Sequence, residues 1–328
     1  SSDLVMKRRE FLKTSAMTLG ALATPGATLA ADNVLTSRLT HRVSDATAPE
    51  VFFIPQVNSE ALIRVYSALK QALKGRVGIK MTFETPGGPH LDPQLVKALA
   101  DHTKATLIDN NCYPPRDTAT KHLEVARGNG FDETIAPIDI LDADGYMDLP
   151  VSKGYHLKFA RTGSHFANYD TLISMVRFKA HFLDFYGGTL KNLSICMGTG
   201  VEGKCLIHSA GEVMDHFSSR DDQTTCEAMS DAVKAAMQAK QGGWAFVNVM
   251  DAFEPTDGCE HATNLGNIGI LASLDPVAVD QAAIDLTFGA APNETVRQIW
   301  EKRHSTMLTA IAENNSVGYT HYRFTEIK

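Results

Sequence analysis

The sequence predicts an α/β fold, a mostly parallel or mixed sheet with helices on both faces, built as one large domain or as two lobes. Three observations predict it. Short apolar runs of strand length alternate with segments of helical period from residue 51 onward. Asp-Pro pairs open helices at two places, Asp92-Pro93 and Asp275-Pro276. The chain has 328 residues, of which 44% are hydrophobic, enough to bury a large core.

The elements follow in order. Val51-Phe52-Phe53-Ile54 reads as a buried strand, and Ser59 then caps a helix with Leu62, Val65, Leu69 and Leu73 on one face, ended by Gly75. Val77–Met81 is the next strand, followed by the turn Pro86-Gly87-Gly88-Pro89 and the helix opened by Asp92-Pro93. A strand at Ala105–Asp109, a helix near Asp117–Arg127 and a strand at Ile138–Leu141 continue the alternation. Thr171–Val176 is a strand leading into Lys179-Ala180-His181, and a loop-to-helix segment starts at Gly187-Gly188. The later chain reads as a helix at Cys226–Gln238, strands at Trp244–Asp251 and Asn267–Ser273, the helix opened by Asp275-Pro276, and a terminal helix over Asn293–Glu313. In domain terms this gives a signal at 1–30, a polar linker at 31–48, an α/β core at 49–290, and a C-terminal helix and tail at 291–328 packed on that core.

The N-terminal segment has its own logic. Lys7-Arg8-Arg9-Glu10-Phe11-Leu12-Lys13 precedes a weakly apolar run, and Thr28-Leu29-Ala30 ends it in small residues. This is the pattern of a twin-arginine signal peptide cleaved after Ala30, which implies the twin-arginine translocation machinery as a partner and export in the folded state to the periplasm. The run is too short and too rich in Thr, Ser and Gly to span a bilayer, so no stable membrane span is expected after processing. Removing residues 1–30 takes away four positive and two negative charges, moving the formal charge from −7 to −9. An acidic chain without a basic run argues against nucleic acid as a partner. The five cysteines, Cys112, Cys196, Cys205, Cys226 and Cys259, show no Cys-x-x-Cys spacing, which excludes the usual ferredoxin run. A Cys196–Cys205 disulfide is one candidate in an oxidising compartment.

Polar residues at strand ends are the candidates for chemistry, because loops converge there in open parallel sheets. Lys80 and Glu84 follow one strand, Asp109 and Asn111 end the next, Lys179 and His181 follow the third, and Asp251 ends the fourth. The plainer reading is that each one caps a turn. Lys179, Lys191 and Asp109 are the candidate catalytic groups, and Asn111, Gly187, Gly188 and Asn192 the candidate cofactor-binding ones. Two glycines before a helix can bring backbone N–H groups to an anion, with Lys191 adding charge, although the Walker spacing is missing. His181, His208, Cys259 and His261 offer the imidazole and thiol ligands of a divalent transition metal, against the commoner case of an isolated structural histidine. No G-x-S-x-G elbow is present to support a serine hydrolase.

With these residues in view, the sequence resembles the prokaryotic family called domain of unknown function 362, whose members are often labelled uncharacterised iron–sulfur proteins. The resemblance rests on Phe178-Lys179-Ala180-His181, Gly187-Gly188-Thr189-Leu190-Lys191-Asn192-Leu193, His208-Ser209, and Asp275-Pro276-Val277-Ala278-Val279-Asp280, within about residues 77–285. Many relatives insert a ferredoxin-like block with two four-cysteine runs after the His-Ser segment. Here Ala210 to Gln241 contains only Cys226, which argues against an iron–sulfur cluster. The resemblance implies a fold and a site, with no settled reaction. Two functions are expected to compete: a metal- or cofactor-dependent periplasmic enzyme acting on a small molecule, and a non-catalytic metal or cofactor binding or assembly protein. A periplasmic solute receptor ranks below both.

Overall fold

Strand-forming residues in this chain come as short, fully buried runs, and the sheet they build decides where the polar residues gather. The computed structural model describes residues 38–181, 186–252, 266–290 and 306–328, with side chains as far as Thr287 in the third stretch. The proposed signal at 1–30, Cys259, His261 and most of the expected 293–313 helix lie outside the described residues. Residues 37–328 form one compact unit.

The sheet strands are β1 (Glu50–Ile54), β2 (Val77–Lys80), β3 (Thr106–Asp109) and β4 (Ile138–Ile140). Two hairpins follow at the sides, β5 (Tyr146–Pro150) with β6 (Phe159–Gly163), and β8 (Lys179–Ala180) with β9 (Tyr186–Gly187). The remaining sheet strands are β7 (Thr171–Arg177), β10 (Trp244–Met250), β11 (Gly269–Ser273) and β12 (Arg323–Glu326). Eight strands pair in the order β12-β1-β11-β10-β7-β2-β3-β4. β11 is antiparallel to both neighbours and every other pairing is parallel. The sheet is therefore mixed and mostly parallel, as expected. From β2 the chain moves outward through β3 and β4, and from β7 it moves the opposite way to β10. The order thus reverses between β2 and β7, and in such sheets the crevice beyond the carboxyl ends at that point is where ligands bind.

Alternation of side chains divides the central strands into two unlike faces. Ile79, Leu107, Ile173, Met175, Ala245, Val247 and Val249 pack with helices α1 (Ser59–Ala68) and α2 (Pro93–Thr103) in an apolar core. The opposite face carries Lys80, Ser174 and Asn248, all fully buried. It meets helix α4 (Thr189–Leu193) and helix α7 (Pro276–Ala290), through Asn192 and Asp280 respectively. The other helices are α3 (Ala119–Gly128), α5 (Glu202–His208), α6 (Asp222–Ala239) and α8 (Met307–Asn314). No described helix is long and apolar enough to cross a membrane.

Several boundaries differ from the sequence reading for local reasons. Asn58 rather than Ser59 caps α1, because its extended backbone lets Oδ1 accept from the Ala61 N–H at 2.9 Å. That helix stops before Leu69, and Lys70 turns left-handed at φ 51°, so Leu73 falls off the apolar face and is exposed. Helix α6 starts four residues earlier than its apolar period, at Asp222, since Asp221 accepts from Thr224 N at 3.0 Å. Cys196 and Cys205 are both free thiols, so the candidate disulfide is not formed.

Candidate functional site

Lys80 ends β2 at the reversal point and is fully buried. Its ammonium donates to Met81 O at 3.1 Å, Asp109 Oδ1 at 3.0 Å and Asn192 Oδ1 at 2.9 Å, so all three protons are used. Asp109, at the end of β3, also accepts from Asn110 N at 2.9 Å, and its second oxygen lies 3.4 Å from His122 Nε2. Burial alone would push the Asp109 carboxyl up, but Lys80, His122 and Arg116 hold it well below the usual carboxylate range. Asn192 completes this knot by donating to Lys80 O and to Ser174 Oγ, both at 2.9 Å. Its amide therefore ties α4 to β2 and β7, and both of its donor protons are spent within the chain.

A second group of charges lies beside the knot. Lys179 is 4% exposed, and its Nζ sits 2.7 Å from Glu84 Oε1 in a buried ion pair. Glu84 is delivered by a backbone in the left-handed region, φ 61°, which is uncommon for a non-glycine residue and marks a position worth asking about. Burial pushes its carboxyl up, yet Lys179, the Thr82 hydroxyl and Arg116 pull it down to about 2. Arg116 is half-buried, and its Nε has no hydrogen-bond partner. Burial works against its charge, but Cys112, Asp109, Glu84 and Cys196 around it strengthen its hold on the proton. Burial likewise raises the Cys196 thiol against the pull of Lys191 and Lys80. An unsatisfied buried donor or acceptor costs about 1–3 kcal/mol. Arg116 Nε and Asn111 Oδ1 are two such atoms on the loop that follows β3.

The glycine pair has a different use from the one its sequence suggests. Gly187 faces Lys179 across the β8–β9 hairpin, and a Cβ there would stand 3.0 Å from Lys179 Cγ and 3.1 Å from its Cε. Its missing side chain lets the lysine stem run past. Gly188 precedes α4, where Thr189 N and Leu190 N both donate to the Asp280 carboxylate at 2.8 Å. The N–H groups that a bound anion would need are taken by the chain's own anion. Asn248 Nδ2 and Tyr186 OH add two further bonds at 2.7 and 3.1 Å, and burial still lifts Asp280 to about 6. Asp275 opens α7 by accepting from Val277 N and Ala278 N at 2.9 Å. Both acidic residues of the Asp-Pro-Val-Ala-x-Asp segment therefore cap helices.

Of the residues singled out by sequence, Asp109, Lys179, Lys191 and Asn192 come into one neighbourhood, linked through Lys80, Glu84, Arg116 and Cys196. Asn111 anchors a neighbouring loop: its N–H donates to Asp142 Oδ1 at 2.8 Å and its carbonyl accepts from Lys204 Nζ at 2.7 Å. His181 and His208 are both buried, and the His208 ring packs on Phe217 with centroids 4.8 Å apart. Among the described residues no group of three His, Cys, Asp or Glu is placed to hold a metal ion, and Cys259 and His261 fall outside that set. Sequence reasoning gave no site role to Arg116 or to His122, the latter entering only as part of the His122-Leu123-Glu124 segment of the family resemblance. Only the position of Arg116 a few residues past the end of β3 hinted at it.

Comparison with solved structures gives distant likenesses. The lactate racemase apoprotein from Thermoanaerobacterium thermosaccharolyticum matches at 10% identity and a TM-score of 0.38, over 61% of this chain and 50% of that one. A protein from Thermotoga maritima matches at 10% identity and a TM-score of 0.41, over 74% of this chain and 58% of that one. The chain thus spans half to three-fifths of the length of the structures it resembles. No curated protein matches it. A family model does match, over residues 77–285, a span that runs from β2 to α7 and contains both the lysine knot and the charges beside it; the chain belongs to the family described as Domain of unknown function (DUF362).

Proposed function

We propose that the chain is an exported enzyme that acts on a small molecule in the crevice at the β2–β7 reversal. The observation that carries this reading is the concentration of buried cationic side chains, Lys80, Lys179 and Lys191, where the strand order turns. Lys179 and Lys191 would stabilise negative charge as it develops on the substrate, in a site where water screens little. Asp109 serves as a fixed counter-charge, since its carboxyl stays ionised beside Lys80. His181 and His208 have the chemistry to hold a divalent transition metal, and Cys259 and His261 are the further ligands of this reading. Such an ion would supply Lewis acidity. The same reading takes residues 1–30 as a twin-arginine signal and the periplasm as the working compartment.

The test is elemental analysis of protein purified after export without chelator, beside a His181→Ala/His208→Ala variant. About one equivalent of transition metal, lost in the variant, supports the metal-dependent reading; no metal in either moves the weight to an organic ligand. A second reading, a metal or cofactor carrier, draws on the saturation of Lys80 and Asp109, which leaves few groups free to move a proton. Stoichiometric exchangeable binding without turnover would favour it.

A further inference from the structure

We infer that residues 213–220 form a lid over His208, hinged at Ala210-Gly211 and latched by the ring of Phe217, a proposal that rests on reading His208 as part of the small-molecule crevice. The segment joins α5 to α6 without regular secondary structure. Its two ends are tied to the end of α5. Ser209 Oγ donates to Val213 O at 2.9 Å and accepts from Val213 N at 2.8 Å. Arg220 donates through its backbone N to His208 O at 3.2 Å and through Nε to Ser209 O at 3.3 Å. A surface loop closed at its neck in this way is an Ω-loop.

Between these ties, residues 214–219 make no hydrogen bond to the rest of the described chain. Their own side-chain bonds, His216 Nδ1 with Asp215 Oδ1 at 2.7 Å and Ser219 Oγ to Arg220 O at 3.3 Å, stay within the loop. What holds the tip is Phe217, whose ring centroid lies 4.8 Å from that of His208 and 6.3 Å from that of Tyr113. The wall it meets is fixed: His208 is 3% exposed, and the Tyr113 hydroxyl lies 3.6 Å from the Sγ of buried Cys205, on the same helix as His208. Tyr113 belongs to the loop after β3 that carries Asn111, so Phe217 bridges that loop and α5. At the near end of the neck, Ala210 holds φ 55° and Gly211 φ 91°. Two left-handed residues in succession, one of them not glycine, are the kind of local strain that collects at switch segments. A cover held by backbone at its neck and by one side chain at its tip opens when that side chain leaves.

The experiment is diethyl pyrocarbonate labelling of the full chain under native conditions, read at each histidine by peptide mass spectrometry. It is run before and after EDTA treatment, so that shielding by a bound metal and cover by the lid are told apart. His216, whose side chain is 68% exposed, sets the open rate, and fully buried His122 sets the closed one. In the wild type His208 is expected to react more slowly than His216 and faster than His122. Phe217→Ala should speed its labelling about tenfold, the change expected when two aromatic contacts are lost, and leave His122 unlabelled. Phe217→Leu, which keeps an apolar latch, should fall between the two. Wild-type His208 as reactive as His216, or as inert as His122, would overturn the lid. So would an unchanged rate in Phe217→Ala, or labelling of His122 in that variant, which would make Phe217 a support of the core. If His208 behaves as expected while neither EDTA nor elemental analysis finds a metal, the lid stands and the metal reading falls. If EDTA releases a metal but Phe217→Ala changes no rate, the lid falls and the metal reading stands.

Discussion

The Lys80 knot and the Lys179–Glu84 ion pair near it are built in opposite ways. In the knot every ammonium proton has an acceptor, and the acceptors are themselves tied down by Asn110, Ser174 and the β2 backbone. Beside it, Lys179 leans on the single carboxylate of Glu84 at 2.7 Å, and the Arg116 Nε is buried without a hydrogen-bond partner. Saturated polar burial holds elements together, whereas a polar group buried with a single partner or none is stability given up. The difference separates lysines that the sequence alone cannot tell apart.

Substitution should expose the contrast most sharply at Lys80. Lys80→Met leaves Asp109 buried without its main partner and should lower the unfolding free energy by about 3–5 kcal/mol, read by urea denaturation. Arg116→Gln in the same assay should cost less than about 1 kcal/mol. Equal losses at the two positions would erase the distinction. Asp280→Ala comes next, since it strips the acceptor from Thr189 N, Leu190 N, Asn248 and Tyr186. A loss of about 2–3 kcal/mol is expected, and wild-type stability would mean that α4 is held by other means.

The smallest effect is a pH dependence at Glu84. Its folded pKa of about 2 lies below its ordinary value of 4.5, so the unfolded chain binds the proton more readily. The stability it contributes is complete above pH 4.5 and is lost as pH falls from there toward about 2. Glu84→Gln should flatten the stability profile over that window relative to wild type. Identical slopes would show that Glu84 and Lys179 are not coupled.

Much of this architecture could be read from residue pattern because the central strands are buried on both faces and spell themselves out as apolar runs, Trp244–Met250 above all. Other parts left no such trace. Strand β12, Arg-Phe-Thr-Glu, is a half-exposed polar edge strand that gains its place only by lying parallel to β1. The β5–β6 hairpin buries one side only, through Leu149, Ala160 and Thr162, and has no apolar run to mark it as strand. In the site, strand ends were what singled out Asp109 and Lys179. They could not show that Asp280, some ninety residues on, would fill the glycine-led helix start, because that depends on how α7 packs on α4. Arg116 was hidden for a related reason: a loop arginine has no periodicity, and only the fold brings it beside Glu84 and Asp109.

Asp285 of α7 gathers residues from both ends of the described chain, accepting from Thr40 Oγ1 at 3.2 Å, His41 N at 3.1 Å and Tyr322 OH at 2.7 Å. On a ribosome these partners emerge nearly three hundred residues apart, and β12 arrives last of all. Until Tyr322 is made, β1 lacks its outer neighbour and Asp285 lacks its phenol. A chain stopped short of β12 would leave both β1 and Asp285 without these partners, so the seam between residues 40–54 and 322–326 can close only late in synthesis.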